Sequence, residues 1–272
     1  MKLRCSTWLA GVLICTGLLA TTPGRCAETP ALTDSQREAA ALFKNMSAYL
    51  AGLQSFSVKF RAGYDVVQPT GQKIEFGETR SVVLARPDRL RVEEVGSDGK
   101  RDLALFDGRD ITVFDADAAV YAKAPQPGTV DDALVYFVRE LRMRMPLALL
   151  LTTRLPDALP SRVQSIDFVE STEILGVPTD HIAGRAENVD FQFWITQGQH
   201  PLPLRVVITY RKSPGQPQFW ANFADWNTSP KIGKTTFEFS PPPGARQIPF
   251  AVQVSGAAGT PQPPEMKKGG TP

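Results

Sequence analysis

The sequence predicts an α+β fold in which one large curved antiparallel sheet, an incomplete β-barrel, wraps around an N-terminal helix and a central helical insert. Most of the chain consists of runs in which apolar and polar residues alternate, separated by turn residues, and this pattern is typical of antiparallel strands. Helical spacing of apolar residues occurs only after the N-terminus and in the middle of the chain. Without its termini the chain suits one domain of roughly 200–250 residues, which we place at residues 33–250.

The first 27 residues have the features of a secretory signal peptide. Lys2 and Arg4 precede an apolar run over residues 8–20, which is shorter than the roughly 20 apolar residues that a transmembrane helix needs. Cleavage is expected after Ala27, with Ala20 and Ala31 as alternatives, and an uncleaved anchor is the competing interpretation. We therefore expect a periplasmic protein that crosses the inner membrane by a cleaved signal peptide.

The three cysteines, Cys5, Cys15 and Cys26, all lie in or beside this signal. The predicted domain therefore offers no cysteine for a disulfide, a metal site or a nucleophile. Cys26 is the better of two candidates for lipid attachment, but Arg25 precedes it where a lipoprotein signal requires a small residue. Contact with a membrane is accordingly expected to be transient at most.

The charge balance argues against a nucleic-acid partner. The whole chain has a formal net charge of +2, and removal of Lys2, Arg4 and Arg25 with the signal changes this charge to −1. A protein that binds nucleic acid neutralises phosphates with clustered Lys and Arg residues. No nucleic-acid partner is therefore expected.

Residues 33–53 are predicted to form the N-terminal helix, whose apolar stripe would pack on the sheet. Its start has two candidate capping boxes, Thr33 with Gln36 and Ser35 with Glu38. The stripe consists of Leu42, Met46, Tyr49, Leu50 and Leu53.

Six strands are predicted to follow, over residues 55–68, 73–85, 90–95, 103–106, 111–114 and 120–124. Asp107-Gly108, between the fourth and the fifth of them, is a strong hairpin signal. Each of the first two strands presents one apolar face. The residues in phase are Phe56, Val58, Phe60, Tyr64 and Val66 in the first strand, and Ile74, Phe76, Val82 and Leu84 in the second.

The pattern becomes helical at Thr129, which is a candidate helix cap together with Asp132. Asp131 and Asp132 also suit the positive end of a helix dipole. Pro146 is expected to stop or restart this helix, and residues 146–151 form a second, fully apolar segment. The apolar stripe of the helix consists of Val130, Leu134, Phe137, Val138 and Leu141.

Strands resume over residues 163–170, 173–175 and 179–184, followed by a three-stranded meander over 189–226 and a last strand over 235–239. The meander presents one apolar face and one mixed face. The mixed face carries Trp194, Trp220 and Trp226, which is a large aromatic surface for a face that meets solvent. Residues 241–243, all proline, are expected to end the domain, and residues 251–272 to form a disordered Gly/Pro-rich tail.

No motif in the sequence points to catalysis or to a cofactor. Neither a nucleophile elbow nor a paired-histidine zinc motif is present. His181 lies in a strand and His200 in a Pro-rich turn, and both are interpreted as structural residues rather than metal ligands. A hydrolase is therefore the least favoured hypothesis, and we expect a non-enzymatic binding protein with no cofactor.

Several segments are similar to motifs of known bacterial families. They are Phe191-Gln-Phe-Trp-Ile, Pro201-Leu-Pro, Phe219-Trp-Ala-Asn-Phe-Ala-Asp-Trp-Asn and Phe239-Ser-Pro-Pro-Pro-Gly-Ala. With these motifs the chain resembles an uncharacterised family of predicted bacterial periplasmic proteins over about residues 33–250. Its order of elements also resembles the lipoprotein carrier LolA, the receptor LolB and the sensor domain of RseB-like proteins. The resemblance implies a LolA-like half-barrel in which acyl chains lie between a concave sheet and the helices.

The predicted inward face supplies candidate residues for an apolar ligand cavity. They are Phe60, Tyr64, Phe76, Phe137, Leu149, Phe193, Tyr210 and Phe223. A lipid, or the acyl chain of a lipoprotein, would be held there by burial of its methylene groups. A packed core without a cavity is the alternative for these residues. In a second hypothesis, the protein is a sensor or scaffold that binds an envelope protein through Trp194 and Trp220 on the sheet surface.

Overall fold

The structure, a computed structural model, describes residues 31–143, 145–158 and 161–250. From Thr33 onward the described residues belong to one compact unit built on a single sheet of twelve strands. The predicted signal peptide and the predicted C-terminal tail lie outside the described residues. The helices are α1 (Asp34–Gly52), α2 (Val130–Arg139) and α3 (Leu155–Ala158), with a 3₁₀ turn at Ala148–Leu151. The strands are β1 (Ser55–Val67), β2 (Lys73–Ala85), β3 (Arg89–Gly96), β4 (Arg101–Phe106), β5 (Asp110–Asp115), β6 (Val120–Pro125), β7 (Val163–Ile174), β8 (Val177–Ala186), β9 (Val189–Thr196), β10 (Pro203–Tyr210), β11 (Gln218–Asn227) and β12 (Arg246–Gln247).

The strands lie across the sheet in the order β12-β6-β5-β4-β3-β2-β1-β11-β10-β9-β8-β7. All neighbours are antiparallel except β12, which pairs with β6 in parallel. Because β1 pairs with β11, two consecutive meanders, β1–β6 and β7–β11, join into one open sheet. The predicted strands 163–170 and 173–175 are a single strand, β7. This architecture confirms the predicted α+β fold with one large curved antiparallel sheet and helices before and between the meanders.

A row of inward-facing side chains across six strands forms the most deeply buried part of the core. In register order it consists of Phe56, Leu84, Leu90, Phe106, Ile111 and Ala124, each at most 1% exposed. The alternation of apolar and polar residues brings these side chains to one face of the sheet. Burial of each large side chain among them stabilises the fold by about 1.5–3 kcal/mol.

Helix α1 begins at one of its two predicted capping boxes. The Thr33 hydroxyl accepts a hydrogen bond from the N–H of Gln36, and the side chain of Gln36 accepts one from the N–H of Thr33. Ser35, in the alternative box, contacts strand β7 instead. Its hydroxyl accepts a hydrogen bond from the N–H of Phe168 (3.0 Å) and donates one to the C=O of the same residue (3.2 Å). The helix is thereby attached to the edge of the sheet at its first turn.

The buried stripe of α1 is centred on Phe43, which the predicted stripe omitted. The ring of Phe43 lies 5.6 Å from that of Phe191 and 5.1 Å from that of Phe193 on β9. Aromatic pairs at these distances add to the stabilisation that burial alone provides. The buried apolar residues of the helix are Ala39, Phe43, Met46 and Leu50, and the predicted residues Leu42, Tyr49 and Leu53 are partly buried beside them.

The two acidic residues that begin α2 have different roles. Asp132 forms the predicted capping box with Thr129. Asp131 is buried, and its carboxylate accepts hydrogen bonds from the N–H (3.0 Å) and the hydroxyl (2.6 Å) of Thr153. It also lies 3.9 Å from Nη1 of Arg86, whose Nε donates to the carbonyl that follows α1. Burial lowers the pKa of Arg86, and the charge of Asp131 opposes this shift.

Helix α2 ends at Arg139, well before Pro146, so the prediction that Pro146 stops or restarts it was wrong. The N–H of Leu141 bonds to the C=O of Tyr136, and Arg142 has a φ of 53°. A left-handed residue just after a helix closes its last turn in this way without a proline.

A β-bulge in β11 reverses the predicted orientation of Trp226. Asp225 has a φ of 51°, and the register with β1 shifts there, so that Asp225 and Trp226 together oppose Val58. The extra residue moves Trp226 to the inner face, where its ring lies 5.6 Å from those of Phe56 and Phe223. The assignment of Trp226 to the mixed face was therefore wrong, because alternation holds only while the register is constant.

The C-terminal end of the domain also differs from the prediction. Residues 235–239 do not form a strand, because the N–H groups of Thr236 and Glu238 bond to carbonyl groups three residues earlier. The last strand is instead β12, which follows the prolines at 241–243 and pairs with β6. The prolines therefore interrupt the chain before a short edge strand and do not end the domain.

Candidate functional site

A cavity of about 800 Å³ lies between the inner face of the sheet and the segment that contains and follows α2. Its walls come from β1–β5, β10 and β11 on the sheet side and from Val138, Met143 and Met145 on the helical side. Val138 is 44% exposed because it borders this cavity, whereas the other members of the predicted apolar stripe of α2 are buried or partly buried in the core. The volume lies within the range of small-molecule binding sites.

A second cavity of about 40 Å³ lies deeper among the core side chains. Its lining is almost wholly apolar and includes the rings of Phe60, Phe223 and Trp226. Arg80 borders both cavities. The small cavity thus continues the apolar region of the large one toward the core.

Four of the eight predicted lining residues border one of the cavities. Tyr64 and Tyr210 lie at the large cavity, whereas Phe60 and Phe223 lie at the small one, with their rings 5.2 Å apart. The structure therefore brings these two pairs to the same face of the sheet, but it places them at different depths.

The other four predicted residues border neither cavity in the described part of the chain. Phe137 and Phe193 are buried in the core, and Leu149 is partly buried against it. Phe76 is 41% exposed and stacks on Tyr64 with a centroid distance of 6.0 Å. Substitution of Phe193 would consequently report on folding, because this side chain packs against α1.

The inner face is not apolar throughout, contrary to the prediction. Along β2 the inward positions change from leucine and valine to Arg80 and Glu78. Nη2 of Arg80 lies 2.9 Å from a carboxylate oxygen of Glu78 and 2.9 Å from one of Glu94. Asp102 on β4 lies directly opposite Glu94 in the register. These four residues, which we call the charged cluster, border the large cavity.

Two carboxyl groups of the charged cluster, those of Glu94 and Asp102, have a raised pKa. Burial raises the pKa of Glu94, and the charge of Glu78 adds to the shift while that of Arg80 opposes it. Burial also raises the pKa of Asp102, and repulsion by Asp115 and Glu94 adds to it. Like charges directly opposite each other on one sheet face are destabilising. Ionisation of Glu94 and Asp102 therefore costs stability as the pH rises toward neutral.

We expect Asp102→Asn to stabilise the protein at neutral pH by about 0.5 kcal/mol, a small gain because solvent screens this exposed group. A carboxyl group whose pKa rises on folding costs stability as the pH rises through that pKa. The gain should therefore be absent below the ordinary pKa of 3.8 and should grow toward neutral pH. Urea unfolding at several pH values measures it, and a loss of stability at neutral pH would contradict this account.

The sequence contains a signal for the charged cluster that the prediction did not use. Glu78 and Arg80 have the same parity as Phe76 and Val82 in one uninterrupted strand, and all four therefore share a face. Charged residues in phase with an apolar face are seldom buried without a partner or a function. The predicted apolar cavity included only the apolar residues of this face, and the charged cluster was therefore missed.

On the opposite face of the sheet, Trp194 and Trp220 belong to one stack that crosses several strands. The ring of Trp194 stacks on His181 at 3.9 Å, and the guanidinium of Arg205 lies 5.5 Å from Trp194 and 5.9 Å from Trp220. Nε1 of Trp220 donates a hydrogen bond to Glu75 (3.0 Å). Both tryptophans are half-buried. Contacts within the sheet thus account for much of this aromatic surface.

In the described ranges, no group of three or more His, Cys, Asp or Glu residues is placed to hold a metal ion. Among the helices that the structure describes, none combines the length and the apolar character needed to cross a membrane.

The sheet, its helices and the cavity define the class of the protein as an α+β protein with one large curved antiparallel sheet. The family described as "Predicted periplasmic protein (DUF2092)" matches residues 39–251, and the chain belongs to this family. The match confirms the resemblance that the motifs indicated, and the family description agrees with the predicted periplasmic location. No curated protein matches the sequence.

Several solved structures are similar in fold. Lipoprotein LppX of Mycobacterium tuberculosis is 16% identical, with 73% of this chain and 100% of that chain covered and a TM-score of 0.46. A LolA superfamily protein of Nitrosomonas europaea is 10% identical, with 74% and 97% covered and a TM-score of 0.37. A chain of the MucA/MucB complex of Pseudomonas aeruginosa is 16% identical, with 75% and 61% covered and a TM-score of 0.40.

Proposed function

We propose that this periplasmic protein is a non-enzymatic binding protein that holds a lipid, or the acyl chain of a lipidated protein, in the large cavity. The observation that carries the proposal is the cavity of about 800 Å³ beneath the sheet. Protein cores are close-packed and contain few voids larger than a water molecule. An opening of this size is therefore best explained by a ligand.

The walls of the cavity suit an acyl chain. Val92, Ala104 and Val113 line it from three neighbouring strands, and Val138 and Met143 line it from the helical side. Each methylene group removed from water contributes about 0.8 kcal/mol. A chain of about ten methylene groups would contribute roughly 8 kcal/mol, from which the cost of ordering the ligand is subtracted. Affinity for a lipid therefore requires no catalytic or metal-binding motif.

Native mass spectrometry of the protein purified from a bacterial periplasm, combined with organic extraction, tests the proposal directly. We expect a lipid to co-purify in stoichiometric amount, because a filled apolar cavity is more stable than an empty one. A mass equal to that of the chain alone, together with no uptake of added phospholipid or lipopeptide, would refute the proposal.

The aromatic stack on the outer face provides a test of the alternative, binding of an envelope protein through Trp194 and Trp220. If the stack is structural, Trp220→Ala should lower the free energy of unfolding by about 1–2 kcal/mol, because the contacts with Arg205 and Glu75 are lost. Lipid uptake should not change, because the ring lies on the face away from the cavity. Unchanged stability with loss of a bound envelope protein would instead support the alternative.

A further inference from the structure

We propose that the charged cluster makes the cavity selective for amphiphiles whose headgroup carries an ammonium group, and that it disfavours amphiphiles with an anionic headgroup. This inference rests on the proposed function, since it specifies which lipid the cavity would accept. The inference is based on a ligand-sized apolar cavity whose wall contains the predominantly acidic charged cluster.

The arrangement along the strands would orient an amphiphile. Toward one end of β2 and β3 the inward residues are apolar and belong to the buried row of the core. Toward the other end they are Arg80 and Glu78 on β2 and Glu94 on β3. A ligand that places its chain against the apolar end brings its headgroup to the charged cluster, because a charged headgroup is costly to bury among apolar side chains.

The described side chains give this place a negative charge. Among the described residues, those that border the large cavity with an acidic side chain are Asp65, Glu78, Glu94 and Asp102, and the one with a basic side chain is Arg80. Asp65 is compensated, because Nζ of Lys73 lies 3.7 Å from it and the N–H of Gln218 donates to it. The four residues of the charged cluster alone have a formal net charge of −2, since three of them are acidic and one is basic.

Arg80 does not provide a site for an anionic headgroup. Its guanidinium is already held between Glu78 and Glu94, at 2.9 Å from each carboxylate. Its Nε is buried, has no hydrogen-bond partner among the described residues and has no exposed surface that a headgroup could reach. Asp102, in contrast, has no ion pair within 4.0 Å in the described part of the chain and stands directly opposite Glu94. An ammonium group between these two carboxylates would relieve their repulsion and donate hydrogen bonds to both.

Three amphiphiles with the same chain and different headgroups separate this inference from the proposed function. Isothermal titration calorimetry at neutral pH, below the micelle concentration, compares dodecylammonium, dodecanol and dodecanoate. We expect the wild-type protein to bind dodecylammonium about tenfold or more tightly than dodecanoate, with dodecanol between them. The double variant Glu94→Gln/Asp102→Asn should lose most of this preference while it still binds dodecanol.

Glu93→Gln is the matched control. Glu93 neighbours Glu94 on β3 but points to the other face of the sheet, where it pairs with Arg91. This variant should keep the preference of the wild type, and circular dichroism would confirm that each variant is folded. Equal binding of the three amphiphiles to the wild type, or a preference that persists in the double variant, would overturn the headgroup inference and leave the proposed function standing. Failure of all three to bind would overturn both.

Discussion

Replacement of Asp131 by alanine is expected to destabilise the protein by about 3–5 kcal/mol, because it leaves a buried charge without its partner. The Arg86 side chain is 6% exposed, and Asp131 is the acidic group beside it. The same carboxylate holds both the N–H and the hydroxyl of Thr153. Its loss would therefore loosen the end of α1, the start of α2 and the segment before α3 together. Urea unfolding at neutral pH measures the effect.

Asp132→Ala is the matched control for this prediction. Asp132 is the next residue in the same helix turn, but it is only half-buried and its hydrogen bonds cap the helix with Thr129. We expect its loss to cost about 1 kcal/mol or less. In the double variant Arg86→Met/Asp131→Leu, part of the stability lost in Asp131→Ala should return, because no buried charge remains. Equal losses in the two single variants would show that the buried pair contributes nothing beyond helix capping.

Ala104→Trp is expected to weaken the binding of dodecanol about 100-fold. Ala104 is a small residue on β4 that faces the cavity between Val92 and Val113. An indole at this position would occupy the space of roughly three to four methylene groups, which corresponds to about 3 kcal/mol of lost burial. A neutral ligand is used so that the result depends on the apolar wall and not on the charged cluster. Calorimetric titration of the wild type and the variant gives the ratio.

Thr79→Trp provides the comparison for this substitution. Thr79 lies on β2 at an exposed position of the opposite face, so the same large ring is added to the same sheet outside the cavity. Dodecanol should bind to this variant as it does to the wild type. If Ala104→Trp folds normally and still binds dodecanol with wild-type affinity, the ligand does not occupy the large cavity.

Alternation of apolar and polar residues was sufficient to predict the class of the fold. The first two strands and the Asp107-Gly108 hairpin were found because each depends on a few neighbouring residues. The capping boxes of α1 and α2 were predictable for the same reason. The family motifs then supported an assignment that these local patterns had already indicated.

The features that escaped prediction depend on contacts that are distant in sequence. The bulge at Asp225 is a matter of register between β1 and β11, which no single strand reveals. The pairing of β12 with β6 joins segments separated by the whole second meander. The cavity is bordered by side chains from seven strands and the segment around α2, so its outline could not be obtained from strand phase alone. Strand phase identified the inner face of the sheet. It did not show which residues of that face border the cavity and which pack in the core.

The bond between Ser35 and Phe168 also bears on the solubility of the protein. An open sheet ends in strands with unpaired backbone groups, and such an edge is a template for aggregation by strand addition. At the β7 edge, the Ser35 hydroxyl occupies both the N–H and the C=O of Phe168. An incoming strand could pair along the whole of β7 only after displacing the first turn of α1. The helix that helps to close the core therefore also protects the longest free edge of the sheet from self-association.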